Sequence, residues 1–153
     1  MKKLPEHGLC FICGTANSKG IGVRWYADME GVISTEFSLT EHEQGPPGHA
    51  HGGALAAILD EIMGTAAWNS GFMVMAANLN VDYVLPVPLG VPLTAIGEVS
   101  GRDGRKVFTE SEIRLPDGRV AAMARGIFIE VKQMFTKSGG SDFIKWLPEQ
   151  DQP

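Results

Sequence analysis

Cysteine is scarce in this chain of 153 residues: Cys10 and Cys13 are the only two. Two thiols three positions apart cannot staple a small secreted scaffold, so a disulfide-rich fold is excluded. An excess of positive charge is missing as well. Thirteen Lys and Arg stand against eighteen Asp and Glu, a formal net charge of −5. That balance argues against a general binder of nucleic acid or of anionic membranes, both of which call for a basic face. It leaves room for an anionic small ligand held by a local basic patch. No uncharged run is apolar enough to span a bilayer. The longest, Ile62 to Val81, carries Asn69, Ser70, Gly71, Asn78 and Asn80, which is too polar at its centre. A charged start followed by an apolar stretch is also lacking, so no signal peptide is expected and the expected location is the cytoplasm. Phosphate-loop, Gly-x-Gly-x-x-Gly and Gly-x-Ser-x-Gly motifs are absent. Nucleotide hydrolysis and serine-esterase chemistry therefore have no support.

What is present suits one globular domain. The length is close to that of a single core, and a chain of this size needs no staple. Residues 1–20 read as a leader, 21–135 as the folded domain and 136–153 as a polar tail. In that tail only Phe143, Ile144, Trp146 and Leu147 form an apolar patch. Most of the domain is patterned for strands. Ile33, Thr35, Phe37 and Leu39 alternate with Ser34, Glu36 and Ser38, and Leu79, Val81 and Tyr83 alternate with Asn78, Asn80 and Asp82. Val23–Ala27, Leu93–Val99, Lys106–Leu115 and Arg119–Val131 read as further strands. Asp103-Gly104 and Asp117-Gly118 are hairpin turn signals between the last three.

His51 to Trp68 is the exception. Leu55, Ile58, Leu59, Ile62, Met63 and Ala66 recur at helical spacing, and Gly53, Ala56, Ala57, Gly64 and Ala67 form a second stripe of small residues. A helix that is apolar or small nearly all round has to be covered by the sheet. The expected architecture is α+β: one long central helix wrapped by a curved antiparallel sheet of about six strands, two before the helix and four after.

The helix also carries the chemistry. A loop ending in His51-Gly52-Gly53 runs straight into it. A helix start has unpaired N–H groups and the positive end of the dipole, and glycine lets a ligand approach them. Such donors suit a carbonyl oxygen that gains negative charge. Asp60 falls on the small-residue stripe, where a carboxylate faces a close neighbour and not open water. Burying it costs free energy unless it is paired, which makes it a functional candidate, against the plainer reading of Asp60 and Glu61 as a solvated patch. Glu61 lies about 100° further round the helix. A metal site is not expected. His49-Ala-His51 has no later His or suitably spaced Glu to complete it, and His7, Cys10 and Cys13 have ligand-like spacing without a clear fourth partner. The two cysteines therefore read as free thiols.

His51-Gly52-Gly53 followed by Asp60 resembles the signature of the hot-dog-fold acyl-CoA thioesterases of the PaaI-like type. Further similarity lies in Cys10-Phe-Ile-Cys13-Gly14 with Asn17 and Gly20-Ile21, in Asn78 to Tyr83 with Pro86, and in Gly104-Arg105-Lys106-Val107. The resemblance implies an enzyme that hydrolyses acyl-CoA to free acid and CoA, with no cofactor beyond the CoA of its substrate. It implies sheets joined edge to edge in a homodimer or a dimer of dimers, with composite sites between subunits. Asp60 would be general base or nucleophile, with Glu61 second choice as base or a structural acid at the subunit contact. The Gly52 N–H would polarise the carbonyl, and His51 would position substrate or hold the loop. Gly53 and Asn78 would line the substrate site, and Arg102, Arg105 and Lys106 at the hairpin tip would meet CoA phosphates. Met63, Trp68, Phe72, Met73 and Met75 either line the acyl tunnel or are plain core. Two positions depart from the pattern. Ala76 stands where many members carry Ser or Thr, and Gln44 stands in the loop where an Asn is usual. The alternatives are an acyl-CoA-binding module with little hydrolysis, and a hydratase or dehydratase on the same fold.

Overall fold

A computed structural model describes residues 1–131 and 133–134. The chain forms β1 (Lys2–Lys3), β2 (Tyr26–Ala27), β3 (Ile33–Phe37), helix α1 (Gly52–Asn69), β4 (Val74–Tyr83), β5 (Leu93–Asp103), β6 (Lys106–Arg114) and β7 (Val120–Glu130). All strand pairs are antiparallel, and they make one sheet in the order β1-β2-β3-β5-β6-β7-β4. The expected order of two strands, helix and four strands is present, with β1 as a seventh strand. Two lysines carry no hydrophobic period, so nothing local announces it. The strand expected over Val23–Ala27 shrinks to Tyr26–Ala27. Its earlier part hydrogen-bonds to the leader, Val23 N–H to Ile12 O at 2.8 Å and Leu4 N–H to Trp25 O at 3.0 Å. Leu4, Ile12, Cys13, Val23 and Trp25 are all buried, so the leader packs onto the body. The tail patch of Phe143, Ile144, Trp146 and Leu147 lies outside the described residues.

The hairpins sit where their turn residues placed them. Gly104 has φ +56° between β5 and β6, and Gly118 has φ +83° between β6 and β7, angles that glycine adopts at little cost. Asp117 accepts the Arg119 N–H at 3.0 Å and fixes the second turn.

Helix α1 packs against β3, β4, β5, β6 and β7. Five strands at about 4.8 Å spacing span roughly 19 Å, while a helix is about 10 Å wide. Contact with all five therefore requires the sheet to bend round the helix. Ile58, Leu59, Ile62, Met63, Ala66 and Ala67 are wholly buried in this contact. The packing is close: a Cβ at Gly97 of β5 would lie 3.0 Å from Ile62 Cγ1. One polar tie crosses the core, from Ser111 Oγ on β6 to Leu59 O at 3.2 Å. No helix among the described residues is long and apolar enough to cross a membrane.

Strand β4 lies at the sheet edge beside β7. Met75, Leu79, Tyr83 and the following Val84 are exposed along it. Within β4 the register shifts between Ala76 and Asn78, a β-bulge that leaves Ala77 unpaired. Replacement Ile62→Ala, which empties the centre of the helix–sheet contact, is expected to destabilise the fold by about 2–5 kcal/mol. Urea unfolding monitored by circular dichroism measures this; a loss under about 1 kcal/mol would show a loosely packed centre.

Candidate active site

The loop before the helix is held by its own backbone. Gly45 N–H donates to His49 O at 2.9 Å, His51 N–H to Glu43 O at 2.8 Å and Ala50 N–H to Val87 O at 2.9 Å. Gln44, which replaces the usual Asn, accepts the Gly48 N–H through Oε1 at 3.0 Å. His51 is the N-cap of α1, and its Nδ1 accepts the Gly53 N–H at 2.8 Å. This bond joins two of the sequence candidates. His51 holds the helix start, and the Gly53 N–H is already satisfied. The Gly52 N–H has no acceptor among the described residues, so it remains available at the positive end of the helix.

Tyr83, at the end of β4, donates its hydroxyl to Gly52 O at 2.8 Å. A Cβ at Gly52 would lie 3.3 Å from Tyr83 Cζ. A side chain at Gly52 would press on the ring and oblige it to shift by a few tenths of an ångström. Gly52, Tyr83, Leu55, His49, Pro46 and Leu85 line a cleft of about 490 Å³.

Asp60 opens into a different cleft of about 370 Å³, lined also by Ala56, Ala57, Ala76, Ala77, Asn78 and Leu79. The small-residue stripe of the helix and the bulged part of β4 form its walls. The bulge brings Ala76, Ala77 and Asn78 to this cleft together, so Asn78 does share it with Asp60 while Ala76 adds no hydroxyl. Burial pushes the Asp60 carboxyl above its ordinary range, because the charged form loses solvation. No hydrogen bond or ion pair offsets this among the described residues.

Asp60 is eight residues beyond Gly52, which at 1.5 Å per residue separates them by about 12 Å along the helix. One chain therefore presents a carboxylate and a donor in two separate clefts.

Residues 47–122, which include the helix and strands β4, β5 and β6, match the family described as the thioesterase superfamily. The chain belongs to the thioesterase superfamily. Acyl-coenzyme A thioesterase THEM4 of Xenopus laevis is 40% identical over 116 residues, covering 73% of this chain and 52% of that protein. The chain spans about half the length of the curated relatives it matches. A crystal structure of a thioesterase superfamily protein has a TM-score of 0.76 at 37% identity, covering 78% of this chain and 62% of that one. A hypothetical thioesterase from Streptococcus pneumoniae, solved with coenzyme A, shares the fold with a TM-score of 0.67 at 19% identity over 71% of this chain and 85% of that one.

Other candidates of this superfamily member fall elsewhere. Glu61 does not accompany Asp60; it faces the leader. Its Oε1 lies 3.4 Å from Cys10 Sγ and 3.9 Å from His7 Nδ1. Burial pushes the Glu61 carboxyl up to about 7. A hydrogen bond from the Cys13 thiol holds Cys10 well down, at about 3, and that same bond together with burial drives Cys13 up. At the hairpin tip Arg102 is occupied. Its Nε donates to Gly104 O at 2.9 Å, its Nη2 pairs with Glu130 at 3.4 Å and its guanidinium lies 4.6 Å from the centre of the Phe72 ring. Arg105 and Lys106 are exposed, and no ion pair involves them among the described residues. Met63, Trp68 and Met73 are buried core, whereas Met75 is exposed on the β4 edge.

Two features escaped the sequence. Tyr83 reads there as a strand residue, and its bond to Gly52 spans 31 positions. The β4 bulge has only the apolar start of the strand as a signal. Replacement His51→Ala removes the cap of α1 and is expected to cost about 0.5–2 kcal/mol, measured by thermal unfolding. An unchanged midpoint would mean that the His51–Gly53 bond contributes nothing to the helix start.

Proposed function

We propose that this protein hydrolyses acyl-CoA thioesters to the free acid and CoA, at composite sites formed by two copies of the chain. The observation that carries the reading is Asp60: a half-buried carboxylate, raised by burial alone, opening into a cleft of its own. A poorly solvated carboxylate is a stronger base and nucleophile than one in water. Asp60 either draws a proton from the attacking water or adds directly to the thioester carbon. The Gly52 N–H supports the charge that develops on the carbonyl oxygen, aided by the helix dipole. The CoA thiolate then leaves and is protonated; on the nucleophilic route a water then hydrolyses the acyl–Asp60 anhydride, which releases the free acid and restores the carboxylate.

Within one chain the two groups are about 12 Å apart along the helix, too far to act on one carbonyl. Pairing β4 edges antiparallel would bring Asp60 of one copy toward Gly52 of the other, and would cover Met75 and Leu79. Arg105 and Lys106 are the cations available for CoA phosphates, since Arg102 is engaged with Glu130 and Phe72. The names of the curated relatives and the CoA-bound neighbour support the same substrate class. A second reading, acyl-CoA binding with slow turnover, is favoured by one observation: Ala76 and Ala77 give the Asp60 cleft no hydroxyl to hold water.

Thiol release from a panel of acyl-CoAds of different chain length and aryl character tests the first reading. The Asp60→Asn chain is expected to lose about 10²–10⁴-fold in kcat and to keep the size of the wild type on light-scattering chromatography. Retained turnover would remove Asp60 from the reaction, and CoA binding without release in the wild type would favour the second reading. Complementation tests the composite site. Asp60→Asn and Gly52→Leu chains, each inactive alone, should regain about a quarter of wild-type activity when unfolded and refolded together, since half the dimers are mixed and each holds one intact site. No recovery would place both groups in the same subunit's site.

A further inference from the structure

Outside both clefts, the structure gathers four ligand-type side chains that the sequence keeps far apart. His7, Cys10 and Cys13 come from the leader, and Glu61 comes from the middle of α1. Their ligand atoms all lie within 4.8 Å of one another. Cys10 Sγ and Glu61 Oε1 are 3.4 Å apart, Cys13 Sγ and His7 Nδ1 are 3.8 Å apart, and His7 Nδ1 and Glu61 Oε1 are 3.9 Å apart. Bonds of 2.0–2.3 Å to a tetrahedral zinc ion imply ligand–ligand edges of about 3.3–3.8 Å. Three of the edges already have nearly that length. Glu61 supplies the fourth partner that the sequence does not reveal.

The loop is shaped around the sulfur. Ile12 N–H and Cys13 N–H both point at Cys10 Sγ, at 3.4 and 3.5 Å. Donors aimed at a sulfur favour it as thiolate, the form that binds metal. The turn closes through Cys10 N–H to His7 O at 2.8 Å and Gly14 N–H to Cys10 O at 3.0 Å. A Cβ at Gly14 would lie 2.4 Å from Gly8 O and 2.6 Å from Cys10 N. Only glycine allows this closeness, and it is the closeness that sets both cysteines beside His7. Cys13 and Gly14 are buried, and His7, Cys10 and Glu61 are partly so. Two sulfurs, an imidazole and a carboxylate form a borderline-soft set of four, which fits zinc and not the hard ions magnesium or calcium.

We propose that His7, Cys10, Cys13 and Glu61 form a structural zinc site that fastens the leader to α1. Binding holds both sulfurs as thiolates, with the Cys13 thiol proton passing to solvent, and leaves four protein ligands, with no open position for substrate. The ion is not part of the hydrolytic chemistry; it ties the leader to the residue next to Asp60.

The test is metal content, not activity. Full-length protein from zinc-supplemented cells is expected to hold about one zinc per chain by plasma mass spectrometry. After removal of the metal, added Co²⁺ should give thiolate-to-cobalt charge transfer and the visible bands of a tetrahedral ion. Cys10→Ser and Cys13→Ser should lose the charge transfer progressively, Glu61→Gln should weaken cobalt binding by at least about tenfold, and Asp60→Asn should keep full stoichiometry. Far-UV circular dichroism identifies variants that fold. Zinc below about 0.1 per chain both as purified and after reconstitution would overturn the proposal. So would a wild-type cobalt spectrum without thiolate charge transfer, which needs no variant to fold. A disulfide between Cys10 and Cys13 in protein purified without reductant, with no zinc uptake after reduction, would overturn it as well.

Discussion

The burial of α1 is the constraint on which the other parts depend. Leu55, Ile58, Leu59, Ile62 and Met63 are all buried on one helix. Five such side chains contribute on the order of 10 kcal/mol of gross transfer free energy, a quantity as large as the net stability of a typical domain. A half-buried carboxylate keeps part of its hydration and can take up a proton where its charge is too costly, so it opposes the burial only weakly. The helix core therefore decides where α1 sits, and Asp60 is carried into its half-buried position as a consequence. The sheet bends because the helix has to be covered on several sides. The stripe of Ala56 and Ala57 then faces β4, where the backbone passes close and the bulge at Ala77 opens a cleft.

The same constraint explains how much could be read from the sequence. Every large apolar residue that recurs at helical spacing in α1 is buried, since one face of one helix repeats at 3.6 residues. The β5–β6 and β6–β7 hairpins follow Asp-Gly pairs whose glycines take positive φ. His51 and Asp60 stood out because a cap and an acid are odd against so apolar a background. Where the period is too short or is interrupted, the sequence is silent. Lys2–Lys3 is a strand only because β2 lies beside it. Val23 and Trp25 look like a strand and are buried like one, yet the segment bonds to the leader, a choice that no local pattern encodes. Val74 to Ala77 extends β4 ahead of its alternating part, and the bulge there reverses the phase of the side chains. Tyr83 over Gly52, and Glu61 against Cys10, join residues 31 and 51 positions apart. Such contacts depend on the finished topology.

Adjacent carboxylates on α1 show how little sequence distance says about role. Asp60 and Glu61 differ by one residue and by about 100° of helix rotation. That rotation sends Asp60 to the β4 cleft and Glu61 to the leader. Each is raised by burial, but their neighbours differ. Asp60 has no polar partner among the described residues, which is the condition a base requires. Glu61 has a thiol and an imidazole within 4 Å, which is the condition a ligand requires. Reading Glu61 as a substitute base treats the two as interchangeable, and the helix geometry separates them.

The separation also gives the leader a part in the proposed chemistry. Because the two side chains share one rigid helix turn, whatever fixes Glu61 fixes the rotation of α1 about its axis, and with it the direction of Asp60. A hydrogen-bonded thiol is a weak anchor for that purpose, whereas four bonds to one ion would hold the turn against the leader and the leader against the sheet. The N-terminal end of the helix is held by neutral bonds instead, His51 to Gly53 and Tyr83 to Gly52. A charged partner there would compete with the carbonyl oxygen for the Gly52 N–H. The helix is thus secured at one end without spending the donor and near its middle without spending Asp60, so both groups needed for the proposed hydrolysis stay available.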